Sequence, residues 1–220
     1  MDTSFVTLPR RERERLARRG EMLQAAQEVF AEKGYNTATL EEVAARAEYG
    51  KGTLYNYFPG GKQEILLALV ERFHDELCAI IDRSFDESNN QPFRTSLSAF
   101  FGGTFSFFLE RTELFVTLLR EAYRISLSDD SESRQFFSDQ RERALDALAT
   151  PLKAAMERGE IRESASHLMA HMILVNLNGA QMRACMPKSE AIRSLPQSAS
   201  EMADFLTDLV MDGLGQPELN

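Results

Sequence analysis

Apolar residues recur at helical spacing along almost the whole chain. Between residues 18 and 33, Met22, Leu23, Ala26, Val29 and Phe30 fall three and four apart, which places them on one face of a helix. Gly34 stands where such a helix would stop. Thr39 precedes Leu40, with Glu42 three residues on; this capping-box pattern predicts a short helix over 40–47. Gly50 and Gly52 punctuate a tight connection, and 53–58 reads as a third short helix with Leu54 and Phe58 on one side. Longer helices are predicted over 64–85, 93–109, 114–127, 134–158, 167–186 and 199–214. Pro151 lies inside the fourth of these and should kink or split it. Polar stretches over 86–92, 129–132 and 187–196 separate the segments, and Gly213 and Gly215 close the last. Prolines number seven, and β-branched runs bounded by turns are scarce, so no strand is predicted. The expectation is an all-α protein of about nine helices.

Charge divides this chain of helices. The 220 residues carry a net charge of −9, which argues against a generally basic nucleic-acid binder. Residues 1–62, however, hold ten Lys and Arg against nine Asp and Glu, while 63–220 hold fifteen against twenty-five. Within the first part, Arg10, Arg11, Arg13, Arg15, Arg18 and Arg19 face only Glu12 and Glu14. A basic end on an acidic body suggests that one end meets a polyanion. No apolar run reaches the ~18 residues of a membrane span, and no apolar stretch of signal-peptide type follows the arginines. Two cysteines, Cys78 and Cys185, cannot form a disulfide framework, so a reduced, cytoplasmic protein is expected.

Two short helices joined by a glycine-bearing turn make a helix-turn-helix, whose second helix enters the major groove of DNA. Here the turn is Ala47-Glu48-Tyr49-Gly50-Lys51-Gly52, and the second helix presents Thr53, Tyr55, Asn56 and Tyr57. Lys51 and the helix N-terminus suit a phosphate, tyrosine hydroxyls reach phosphates, and Asn56 suits a paired contact to adenine. Lys62 opens the next helix, free to touch the DNA backbone.

From Ala25 to Leu66 the string AAQEVFAEKGYNTATLEEVAARAEYGKGTLYNYFPGGKQEIL resembles the TetR family of one-component transcriptional repressors. FAEKGY, TLEEVAARA, KGTLYNYF and the lysine that follows match in kind and order. The resemblance covers roughly the first third of the chain; the rest matches in length and helical character. It implies a homodimeric, ligand-responsive repressor that binds a near-palindromic double-stranded DNA operator. Residues 1–62 would form the arm and DNA-binding domain, and 63–220 the ligand-binding and dimerisation domain. By resemblance the DNA contacts fall on Lys51, Gly52, Thr53, Tyr55, Asn56 and Tyr57, with Thr39 and Lys62 on phosphates and Arg10, Arg11 and Arg13 as an arm tracking the minor groove or backbone. Two departures stand out. The family's turn usually reads Ala-Gly-Val-Ser, so Glu48 replaces a glycine and Gly50 a small capping residue. Gly60-Gly61 supplies two residues before the lysine where one is usual.

Nine of the fifteen phenylalanines lie between Phe93 and Phe137. Such a stripe is more often core than a ligand box, yet Phe100, Phe101, Phe105, Phe107 and Phe108 cover nearly all sides of one helix, and Gly102-Gly103 thins it. An apolar cavity with a few polar anchors is the usual form of a small-molecule site. An apolar or aromatic effector is therefore expected, with Phe101, Phe105, Phe108, Tyr123, Asn178 and Gln181 as its contacts and Arg183 as a further anchor. Met172, Leu206 and Val210 stand for the apolar faces expected to pair two copies. His167 and His171 sit at i, i+4, a spacing that can bind metal, but no third ligand lies at a fixed spacing and neither a metal nor a cofactor is expected. No nucleophile elbow, P-loop or dinucleotide fingerprint occurs, so catalysis is not expected. The alternatives are a ligand-blind repressor or architectural protein of the same fold, and, from another class, a helical enzyme.

Overall fold

A computed structural model describes residues 9–185, 196 and 198–214. The expected break over 187–195 and the closing Gly215 lie outside the described residues. Nine α-helices occur among those described: α1 (Arg10–Lys33), α2 (Leu40–Arg46), α3 (Lys51–Tyr57), α4 (Gly61–Ser84), α5 (Phe93–Leu109), α6 (Thr112–Ser126), α7 (Ser131–Glu157), α8 (Ser166–Ala184) and α9 (Ala199–Leu214). A 3₁₀ turn, Glu87–Asn89, precedes α5, and no strand is present among the described residues.

Helices α3, α4, α6 and α7 begin two or three residues earlier than expected, which places Lys51 and Gly52 inside α3 and not in the turn, and two elements differ more in kind. Helix α1 begins at Arg10, two turns before the apolar periodicity does. Its first turns contain no core positions; they are helical because Arg and Glu are good helix formers, Glu12 sits in the first turn, and Arg10 pairs with Glu14 at 2.7 Å. The arginines are therefore a helical extension, not an extended arm. Helix α7 runs through Pro151 without splitting. The proline deprives the Ala147 carbonyl of its helical partner, at a cost of about 3 kcal/mol. Leu145, Leu148 and Leu152, on both sides of it, are buried, and each contributes about 1.5–3 kcal/mol, so burial outweighs the proline.

The chain packs as two units. The first runs to Arg72 and adds Glu113–Ser133; the second comprises Phe73–Thr112 and the chain from Arg134 onward. In the first, Met22, Ala26, Val29 and Phe30 of α1 are buried with Val43 and Ala44 of α2, Leu54 of α3, Phe58, and Ile65 and Leu66 of α4. Gln63 at the start of α4 donates to Asp130 (3.0 Å) and Ser133 (2.9 Å). Glu121 of α6 is 2% exposed and holds Arg124 at 2.6 Å; burial and this carboxylate raise the Tyr35 hydroxyl above its ordinary range.

In the second unit α5 packs along α9. Phe93, Phe100, Phe101, Phe105 and Phe108 are buried against their own kind: Phe100 lies 5.4 Å from Phe101, Phe105 5.4 Å from Phe108, and Phe85 stacks on Phe93 at 5.7 Å. Met202, Ala203 and Leu206 of α9 are buried in this unit too. The Gly102-Gly103 pair serves this packing. A Cβ at Gly102 would meet the Ala203 Cβ at 3.6 Å, and one at Gly103 would meet the Ile80 Cγ2 at 3.2 Å. The expected gap beside these glycines is occupied by neighbouring side chains. Cys78 and Cys185 are half-buried free thiols, both raised above the ordinary range by burial. No described helix is long and apolar enough to cross a membrane.

Candidate DNA-binding site

The first unit presents α3 as an exposed helix held by one face. Leu54 and Phe58 are 1% exposed and anchor it. Lys51, Gly52, Tyr55 and Asn56 are exposed, and Thr53 and Tyr57 half-buried. So the structure collects the six residues expected on this element, with the polar and aromatic ones outward. Lys51 is bonded to Glu41 of α2 and lies 5.9 Å from the Tyr55 ring; the Glu41 carboxylate raises the lysine's pKa and is itself lowered by it.

The turn before α3 is closed in an unusual way. Gly50 has an ordinary φ of −70° and gives α3 no side-chain cap. The left-handed residue is Glu48, at φ 59°, a conformation that glycine adopts freely and other residues at a cost of about 1–2 kcal/mol. Tyr49, next in the turn, offsets part of this by donating its hydroxyl to Glu21 of α1 at 2.5 Å, and this bond raises the Tyr49 pKa. Arg46 closes the other side, reaching Glu32 at 2.8 Å and Glu28 at 3.2 Å. The Tyr49–Glu21 tie lies beyond the sequence expectations; a tyrosine where the family has an aliphatic residue is its only signal there.

Thr39 caps α2: its Oγ1 accepts from the Glu42 N–H at 3.3 Å, and Glu42 accepts from the Thr39 N–H at 3.0 Å. Lys33 also bonds Glu42, at 2.5 Å. Lys33 first, then the Thr39 backbone, hold the Glu42 carboxyl down at about 2. A depressed carboxylate contributes stability above its unfolded value near 4.5 that is lost as pH falls toward 2. An NMR titration should therefore follow Glu42 to a midpoint of about 2, and Lys33→Met should move that midpoint up toward 4.5. An unmoved midpoint would remove Lys33 as the main cause.

Lys62 sits at the second residue of α4, behind Gly61, which adopts φ 65°. Gly60 caps this helix by donating to Glu64 at 2.7 Å. The Lys62 ammonium donates to the carbonyls of Tyr35 (2.8 Å), Asn36 (3.1 Å) and Ala38 (3.0 Å) and lies over the Tyr35 ring. All three of its donors are thus engaged in tying the α1–α2 loop to α4. Along α1, Arg11, Arg15 and Arg18 line a groove with Pro9, Glu12, Glu14 and Tyr57, and Arg19 lies 5.0 Å over the Phe58 ring. Arg13 is exposed and lies on another side of α1.

Comparison with known proteins agrees with this geometry. Residues 22–69 match the family model described as bacterial regulatory proteins, tetR family. Over these residues the chain is similar to that family. The chain is 38% identical over 96 residues to the HTH-type transcriptional activator FasR of Mycolicibacterium smegmatis, covering 43% of this chain and 41% of FasR. It is 29% identical over 151 residues to the HTH-type transcriptional repressor KstR of Mycobacterium tuberculosis, covering 69% of this chain and 64% of KstR. These matches span less than two thirds of either relative. Among solved structures, the TetR-family regulator PfmR from Thermus thermophilus superposes with a TM-score of 0.66 at 28% identity, covering 89% of this chain and 99% of that one.

The residues expected at an effector site are distributed differently. Phe101, Phe105, Phe108 and Gln181 are buried in the second unit. Asn178 is exposed on α8, and Tyr123, 66% exposed, belongs to the first unit. Of the residues expected between copies, Met172 is exposed, Val210 half-buried, and Leu206 2% exposed because it faces the core of its own unit. His167 pairs with Asp146 of α7 at 2.9 Å, and no three His, Cys, Asp or Glu are grouped as metal ligands among the described residues.

Proposed function

We propose that this protein is a cytoplasmic, ligand-responsive transcriptional repressor that binds a near-palindromic DNA operator as a homodimer and leaves it when a small apolar or aromatic effector binds. Residues 1–62 do the binding to DNA, and 63–220 the dimerisation and sensing. The observation that supports this reading most is α3 itself: a seven-residue helix anchored by Leu54 and Phe58, whose outward side offers Tyr55 and Asn56 beside Lys51. Asn56 suits direct readout of a base edge, and the tyrosines and lysine suit phosphates. For effector release, the ligand must bind the DNA-free state more tightly, and DNA must weaken the ligand equally. The name FasR, that of an activator, makes the sign of regulation part of the test.

Selection from random duplexes tests the DNA reading, followed by transcription from the selected site with and without a panel of apolar and aromatic compounds. The expected result is an enriched near-palindrome, repression by the protein, and release by at least one compound. No enriched sequence would overturn the reading. Enrichment with activation would reverse its sign, and enrichment with no release by any compound would favour the ligand-blind repressor.

A further inference from the structure

The groove beside α3 goes beyond the DNA contacts expected from the recognition helix, although it rests on the DNA-binding reading. Arg11, Arg15 and Arg18 stand at i, i+4 and i+7, and the same register continues into Met22, Ala26 and Val29. All six lie within about 100° of arc on one face of α1. Met22, Ala26 and Val29 are buried in the first unit. The face that builds the core thus continues N-terminally as arginine, and there it forms a groove whose other wall is Tyr57 at the end of α3. Several other cations of this unit are paired with carboxylates, among them Arg10 with Glu14, Lys33 with Glu42, Arg46 with Glu28 and Glu32, and Lys51 with Glu41. The side chains of Arg11, Arg15 and Arg18, like that of Arg13, make no ion pair or hydrogen bond among the described residues, and all three are exposed. Glu12 and Glu14 also line the groove, and Glu14 is taken up by Arg10.

We propose that this groove holds one strand of the DNA phosphodiester backbone, with Arg11, Arg15 and Arg18 as its cationic wall and the Tyr57 hydroxyl opposite. Three like charges in one stripe repel one another, and a polyanion relieves that repulsion. Guanidinium forks match phosphate oxygens bidentately. The groove adjoins the helix proposed to read bases, so the strand it clamps flanks the base-reading contacts. Its contribution is independent of sequence. Arg15 and Arg18 thereby join the DNA-binding residues, and the groove excludes Arg13, which lies on the far side of α1.

The test measures duplex binding by fluorescence anisotropy across a salt series, using the selected site and a scrambled duplex. Arg11→Gln, Arg15→Gln and Arg18→Gln are made singly and together, with Arg13→Gln and, as a distant charge control, Lys153→Gln on α7. A slope of about 0.9 per neutralised phosphate means roughly fivefold weaker binding at ~0.15 M salt for each arginine removed from a phosphate. The combined variant is expected to weaken both duplexes alike, lower the salt slope by about 0.9 for each such arginine and leave the ratio between the duplexes unchanged. Arg13→Gln should fall short of Arg15→Gln. Circular dichroism melting confirms that the variants fold. Wild-type affinity and salt slope in the folded combined variant would overturn the groove while leaving the DNA-binding reading intact, as would equal effects from Arg13→Gln and Arg15→Gln. A wild-type protein that prefers no duplex would instead overturn the reading on which the groove rests.

Discussion

Gly103→Leu is expected to destabilise the second unit by overpacking. A Cβ at this position would already stand 3.2 Å from the Cγ2 of the buried Ile80, and three further carbons must follow it on that face of α5. Inserting carbons into a packed core costs about 1–3 kcal/mol and sometimes more. A leucine that entered an empty effector space would instead leave stability near that of wild type. Chemical denaturation separates the two outcomes. A midpoint lowered with unchanged slope is expected; a wild-type midpoint would show that room beside α5 does exist. Gly102→Ala is the milder companion, because its Cβ would meet Ala203 at an ordinary 3.6 Å.

The glycines show where sequence patterning stops. Their presence in α5 is legible, but whether a glycine leaves a void or admits a neighbouring helix depends on Ile80 and Ala203, which come from other helices. The same limit applies to α9: periodicity marks Phe205, Leu206, Leu209 and Val210 as apolar, yet only packing against α5 decides that Leu206 turns inward while Phe205 and Leu209 do not. Local signals carry further. The capping box at Thr39 and Glu42 forms as the spacing requires, and α5 and α9 span the predicted residues. Lys62 lies between these cases. Its place at the start of α4 is legible, but its three carbonyl partners are not, because the α1–α2 loop that supplies them carries no side-chain pattern to announce them. The charge periodicity of α1 is present in the sequence as well, but arginines at i, i+4 and i+7 register as a face only when Met22 is seen to continue them.

Met172→Glu combined with Leu209→Glu is expected to convert a dimer into a folded monomer. On α8, Leu168, Met172 and Val175 are 57%, 47% and 49% exposed, and on α9 Phe205 and Leu209 are 47% and 51% exposed. Their spacing of i, i+4 and i+7 on α8 and i, i+4 on α9 makes each set one stripe, and stripes of this kind mark interaction surfaces. In the proposed homodimer these two stripes meet their copies across a two-fold axis, as an isologous interface requires. Two glutamates per protomer then bring four unpaired carboxylates into that interface, at several kcal/mol each, more than enough to separate the protomers at micromolar concentration. Because the substituted side chains face outward in the single chain, folding should survive; Leu206→Glu, by contrast, would bury its charge inside the unit and unfold it. Sedimentation should give a dimer for the wild type and a monomer for the double variant. Operator binding should weaken by at least about a hundredfold, because a monomer engages only one half-site and loses the effective-concentration gain of the second. A wild type that sediments as a monomer, or a double variant that remains a dimer, would place the interface elsewhere.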